Sequence, residues 1–190
     1  MNSMSALIKY YQTGEVEKLD QFVYSENRGQ NLARLSGWYK FCTRNGLDEP
    51  ALSRFIATIG EITNNCFDHN LGHWQDLPGC AVSWFSENGE ITFGIADRGR
   101  GIVSSLRAAI GEELANSEIL KLAFEKVISG RSPEKRGNGL KFVRAQILSS
   151  PKNSLICFSN GSLYKLGQPV ALNILNQNFG TLIIIKWSLK

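Results

Sequence analysis

Three short stretches of the 190-residue chain gather side chains suited to act on a ligand. The first is Gly94 to Ile102, where Asp97 ends an apolar run and is followed by Arg98, Gly99, Arg100, Gly101 and Ile102. A carboxylate at a strand end accepts hydrogen bonds, and glycines separated by one residue let the backbone approach a planar or anionic ligand. The same letters also make an ordinary tight turn. The second stretch, Arg136, Gly137, Asn138, Gly139 and Leu140, sets glycines just before a helical pattern. Exposed N–H groups and the helix dipole favour phosphate there, although a flexible helix entry has the same composition. The third is a stripe on one helix: Glu61, Asn65 and Asp68 fall at i, i+4 and i+7, roughly opposite Phe55, Ile59 and Ile62. Alone it is the pattern of a solvated face. Asn64, Asn65, Asp68, His69 and Asn70, however, crowd poor helix formers together, which costs helix propensity and points to a use for their polar atoms.

Rival site chemistries fail on the same letters. A Walker A loop is absent, and a dinucleotide fingerprint over Gly99 and Gly101 would need a third glycine where Ser104 stands. His69 and His73 share the i, i+4 spacing of a zinc pair, but Gly72 lies between them and no third ligand is evident. Cys42, Cys66, Cys80 and Cys157 form no C-x-x-C pair, so buried free thiols in a reducing cytosol are expected.

The elements that must position these residues follow from periodicity. Leu52, Phe55, Ile56, Ile59, Ile62 and Cys66 predict one amphipathic helix over Ala51 to Asn70. Cys80 to Phe85 and Glu90 to Ala96 predict a hairpin turning at Asn88 and Gly89. Helices are expected over Ile102 to Ile110, Ser117 to Ile128 and Leu140 to Leu148, with Gly130 to Gly139 as a basic loop long enough for a lid. Strands follow at Ser154 to Phe158, Ser162 to Leu166 after a turn at Asn160 and Gly161, Val170 to Leu175 and Thr181 to Trp187. Before Ala51 the chain reads as two or three short helices, its aromatics Trp38, Tyr39 and Phe41 having the spacing of core residues. The expected class is α+β, a two-layer sandwich with a mixed, mostly antiparallel sheet and helices on one face. Residues 1–50 form a helical N-terminal extension and 51–190 the ligand-binding domain.

Composition bounds the rest. Hydrophobic residues make up 43% and charged residues 20%, enough apolar material for a folded core and too much for a disordered chain. Lys+Arg 21 against Asp+Glu 17 leaves a scattered net charge of +4 without a basic run, so nucleic acid is not expected as a partner. Met1 to Gln12 lacks the pattern of a secretion signal, and Leu182 to Ile185 is too short to span a bilayer; no membrane association and a cytoplasmic location are expected.

In order and spacing, Glu61 to Asn70, Asp97 to Gly101 and Gly137 to Leu140 resemble the N, G1 and G2 boxes of the GHKL ATPase superfamily: gyrase, Hsp90-type chaperones, histidine kinases and MutL. The resemblance spans Leu52 to Trp187 and implies a Bergerat-type nucleotide-binding fold with ATP and Mg²⁺ as ligands. It implies that Asn65 ligates Mg²⁺ through its side-chain oxygen, and that Glu61 orients or deprotonates the attacking water or hydroxyl. Asp97 then accepts from the adenine amino group, Gly99, Gly101 and Ile102 carry the backbone past the nucleotide, and Gly137, Asn138, Gly139 and Leu140 wrap the phosphates. Arg136, or Lys135, adds positive charge. Thr181, after Gly180, corresponds to the threonine that reaches the adenine site, and Asp68 and His69 stand near the phosphates.

Within that superfamily no helical hairpin with a phosphoacceptor histidine is seen before the domain, and only three residues follow Trp187, so a complete histidine kinase and a gyrase-type clamp are not expected. Small stand-alone members, such as anti-sigma serine kinases, are the nearer likeness. Two functions stay open: an ATPase or protein serine/threonine kinase with Glu61 as its base, and a non-catalytic switch in which ATP orders the lid and alters a partner surface. Either implies ATP or ADP and a protein partner or phosphoacceptor, with the first fifty residues serving as a cap, a homodimer surface or a partner site. A relic scaffold that binds no nucleotide is the third reading.

Overall fold

Leu182, Ile183, Ile184 and Ile185 follow one another without a polar residue, and all four are buried. A strand apolar on both faces requires cover on both sides of its sheet. The computed structural model describes residues 2–68, 70, 72–110, 113–126, 138–168, 174 and 177–189. Its elements are α1 (Ser3–Thr13), β1 (Phe22–Ser25), α2 (Arg28–Ala33), α3 (Leu35–Arg44), α4 (Glu49–Asp68), β2 (Cys80–Glu87), β3 (Glu90–Asp97), α5 (Ile102–Ile110), α6 (Asn116–Glu125), α7 (Gly139–Leu148), β4 (Ser154–Ser159), β5 (Ser162–Leu166) and β6 (Thr181–Ser188).

The protein is thus α+β, with one open six-stranded sheet in the order β1-β2-β3-β6-β4-β5. Every neighbouring pair is antiparallel, where a mixed, mostly antiparallel sheet was expected. Hairpins build both halves of the sheet, and β6 returns to close the gap between β3 and β4, so no parallel crossover is needed. On one face Val82, Phe93, Ile95, Leu155, Ile183 and Ile185 pack against the apolar sides of α3 to α7. Phe93 is gripped edge-on by Trp38 of α3 and Phe55 of α4.

The other face departs from the expectation that all helices lie on one side. Ala81, Ala96, Ile156, Phe158, Leu182 and Ile184 are covered by Met4, Leu7, Tyr10 and Tyr11 of α1. The unbroken aliphatic run of β6 carried this information, because alternate residues of a strand face opposite ways. A second difference lies at Phe22 and Val23, read as helical and found in β1, where they pair with Ser83 and Val82 of β2. Four residues are too few to display a period, and pairing along the free edge of β2 decides the outcome. The first fifty residues therefore contribute a strand and a covering helix to the same sheet.

The helix that carries the polar stripe begins two residues earlier than its apolar pattern. The Asp48 carboxylate accepts from the Ala51 N–H at 2.8 Å as an N-cap, and Pro50 sits in the first turn, where its missing N–H loses no intrahelical bond. Leu52, Phe55, Ile59, Ile62 and Cys66 are buried along the inner side of α4. The helices over Ile102 to Ile110 and Leu140 to Leu148, the hairpin, and the strands at Ser154, Ser162 and Thr181 stand close to their expected bounds. The strand expected over Val170 to Leu175 and the lid lie outside the described residues, except for Ile174, Asn138 and Gly139. Among the described residues no helix is long and apolar enough to cross a membrane.

Candidate functional site

Asp97 is the last residue of β3, opposite Cys80 of β2 and Thr181 of β6, and only 3% of it is exposed. Its Oδ1 accepts from the Gly99 N–H at 2.9 Å and from the Asn70 side-chain amide at 3.0 Å. Burial pushes its carboxyl up to about 7, against the opposing pull of the Gly99 N–H, the Cys66 thiol, the Asn70 amide and the Thr181 N–H. Removing water disfavours the anion more than these donors restore it. The result is a carboxyl acceptor held in one orientation at the end of the sheet.

Asn70, just beyond α4, also donates to the Cys66 carbonyl at 2.8 Å and accepts from the Arg100 N–H at 3.1 Å. One amide therefore joins the end of the stripe helix to both the carboxylate and the glycine loop. A Cβ on Gly99 would collide with the Asn70 side chain, and one on Gly101, whose φ is 81°, with Asn160 Oδ1. Both glycines are required by packing against neighbouring side chains as well as by any ligand.

The loop's far side is tied to the end of β4. Ile102 N–H donates to Ser159 Oγ at 2.8 Å and Ser104 N–H to Asn160 Oδ1 at 3.3 Å, so two orphan donors at the start of α5 are satisfied from another strand. Thr181 lies 3.3 Å, hydroxyl to hydroxyl, from Ser159 and is buried beside Asp97. Ile102 itself packs its side chain on the main core.

The stripe of α4 meets the second glycine segment. A Cβ on Gly139 would stand 2.5 Å from Glu61 Oε2 and 3.9 Å from Asn65 Nδ2, so the start of α7 lies directly against both side chains. Glu61 is exposed and Asn65 half-buried. The Asn138 side chain makes no capping hydrogen bond at the N terminus of α7, and Leu140 packs on the core beside it. Asp68, at the end of the stripe, forms an ion pair with Arg28 of α2 across a partly exposed surface. It thereby holds α2 to α4, a role that the stripe pattern did not suggest. His69, Arg136 and Gly137 lie outside the described residues.

Arg98, between the carboxylate and the first glycine, points to the opposite side. Its guanidinium is 6% exposed, pairs with Asp76 at 2.5 Å, donates to the Tyr11 carbonyl at 2.6 Å and lies over the Phe179 ring. A cation on the carbonyls that end α1 complements the helix dipole. The covering helix is thus anchored to the same loop that carries Asp97.

Sequence reasoning singled out the carboxylate, the glycines and the stripe; the structure places Asp97, Gly99 and Gly101 at one end of the sheet and Glu61, Asn65 and Gly139 along the adjoining side of α4. It missed Asn70 as a partner of Asp97, and it missed Ser159 and Asn160 entirely as site residues. The only local sign at the latter was the Asn160–Gly161 pair, read as a turn; Asn160 does take a left-handed φ of 49°. Among the described residues no group of three or more His, Cys, Asp or Glu side chains is placed to hold a metal ion. A scan against models of known protein families gives no match. A search of curated proteins likewise finds no relative.

Proposed function

We propose that the chain binds an adenine nucleotide with Mg²⁺ in a Bergerat-type site, as a GHKL-like signalling ATPase or protein serine/threonine kinase of the anti-sigma type. One observation carries this reading: three segments far apart in sequence converge, Asn70 bonding Asp97 at one end and Glu61 and Asn65 lying against Gly139 at the other. A buried, oriented acceptor suits an exocyclic amino group, which adenine presents and guanine lacks at the same position. The Asn65 amide oxygen is a hard donor on a partly solvated surface, as Mg²⁺ requires when it shares its remaining sites with phosphate and water. Mg²⁺ would supply charge neutralisation for the phosphates.

Glu61, exposed and one helical turn before Asn65, is free to take the proton of an attacking hydroxyl or water at its carboxylate. Its place against Gly139, and not in an ion pair with a described residue, favours the enzyme over a switch without turnover. The start of α7, which the Asn138 side chain does not cap, offers N–H donors to an anion. Calorimetric titration of ATP, ADP and GTP, with and without Mg²⁺, on the native chain and on Asp97→Asn tests the reading. Adenine-selective binding that Mg²⁺ strengthens for ATP and that Asp97→Asn sharply weakens is expected. No binding of any of the three to folded protein overturns it.

A further inference from the structure

We infer that Asn160, with Ser159, is a positioning residue for base recognition: from the end of β4 it sets the distance between the Asp97 loop and the Gly180–Thr181 segment. The inference rests on the adenine-site reading above and assigns to it residues that lie outside the three sequence boxes.

The geometry is that of a junction. The two N–H bonds of the Asn160 amide are shared among the Arg100 carbonyl at 2.8 Å, Ser104 Oγ at 2.9 Å and the Asn178 carbonyl at 3.0 Å. Its Oδ1 accepts from the Ser104 N–H at 3.3 Å and from Ser159 Oγ at 3.2 Å, and its own carbonyl accepts from the Asn116 amide of α6 at 3.0 Å. Ser159 Oγ lies 3.0 Å from the Gly180 carbonyl. The two walls then close on each other directly: Gly180 N–H donates to the Gly99 carbonyl at 2.6 Å and Gly161 N–H to the Gln177 carbonyl at 2.7 Å.

Every side-chain donor and acceptor of Asn160 is thus used, inside a residue only 5% exposed. Two of its partners, Arg100 and Asn178, belong to loops with no strand pairing of their own at those positions. Asparagine alone supplies both the left-handed backbone and an amide that donates and accepts at once. Aspartate would retain Oδ1 but face carbonyls with an acceptor, and glycine would retain the backbone without the amide. Because Asp97 and Thr181 stand on adjacent strands at the mouth of this junction, slack there changes where an adenine edge meets Asp97 before it changes the phosphate end.

The test compares the native chain with Asn160→Gly, Asn160→Asp and the milder Ser159→Ala. Each is titrated calorimetrically with adenosine, guanosine, ATP and inorganic triphosphate, and its folding is followed by circular dichroism at the same temperature. Asn160→Gly is expected to weaken adenosine and ATP by the same ten- to hundredfold factor, to shrink the preference for adenosine over guanosine, and to leave triphosphate binding unchanged. Ser159→Ala is expected to do the same by about threefold to tenfold, which keeps the question open to measurement if both Asn160 variants unfold. A purely structural role would lower the melting temperature yet leave the adenosine preference of the folded fraction intact, and that result overturns the inference. Failure of the native chain to bind adenosine or ATP overturns the adenine-site reading itself. Native binding with unaltered Ser159→Ala and Asn160→Gly overturns only the assignment made here.

Discussion

The two ends of the site are built in opposite ways. Around Asp97 nearly every polar atom has a fixed partner: Asn70, Gly99, Ser159, Asn160 and Gly180 are joined by hydrogen bonds drawn from α4, the glycine loop, β4 and the segment before β6. Along α4 Glu61 is exposed and Asn65 half-buried, and both lie against Gly139, which has no side chain. Under the proposed function the Asp97 end takes a planar base, which is recognised by shape and by a few directed hydrogen bonds and binds more tightly when those groups are already held in place. Under the same proposal the exposed end takes phosphates and a hard cation, which are held by charge and shared with water, so ionisable groups there can stay solvated until the ligand arrives. Burial costs the Asp97 anion stability, and the surrounding donors only partly offset that cost.

Changes at the exposed end should strike turnover and spare recognition. Glu61→Gln is expected to lower phosphate release or transfer by about 10²- to 10⁴-fold, while ADP affinity measured by calorimetry stays within about threefold. Full retention of turnover would remove Glu61 as the base and turn attention to the switch reading. At the buried end, Asp97→Asn is expected to weaken adenosine and ATP alike by about a hundredfold, since an acceptor becomes in part a donor facing the amino group. A variant that lost ATP but kept adenosine would reverse the assignment of the two ends.

The pH dependence sharpens the same contrast. The Asp97 carboxyl rises from an ordinary 3.8 to about 7 in the folded chain. Between those values the native chain holds a proton that the unfolded chain releases, so this group's contribution to stability is full below about 4 and lost as pH rises through 7. Melting curves of the native chain relative to Asp97→Asn should therefore diverge downward from pH 5 to pH 8, while adenosine affinity rises over the same interval as the acceptor ionises. A difference that is flat with pH would show that Asp97 titrates normally. The smallest effect belongs to Arg28→Ala: its pair with Asp68 is partly exposed, so urea denaturation should register less than about 1 kcal/mol and no change in nucleotide affinity. A loss of affinity there would return Asp68 to the ligand.

Much of this contrast was legible in the order of the residues. The hairpin at Asn88 and Gly89, the apolar spacing of α4 and the short helices after Gly101 and Asn138 are local patterns, and each stands where its period predicted. Asp97 and its glycines were visible because carboxylate, strand end and glycine spacing are adjacent in the chain. Asn70 was noticed only as one of several poor helix formers, since nothing nearby in sequence says that its amide reaches Asp97, 27 positions away. Asn160 looked only like the start of a turn, because its partners at Arg100, Ser104 and Asn178 come from other parts of the chain.

What the chain determines by itself is therefore its α+β class, the strands and helices that carry the candidate groups, and the identities of those groups, because periodicity, capping and turn preferences act over a few residues. Tertiary structure alone decided that α1 is the element covering the second face of the sheet, that Phe22 to Ser25 join its edge, that Arg28 pairs with Asp68 and that an asparagine just after β4 holds the Asp97 loop. Each of these depends on which distant surfaces meet. Burial and long-range hydrogen bonding settle that choice, and no local spacing records it.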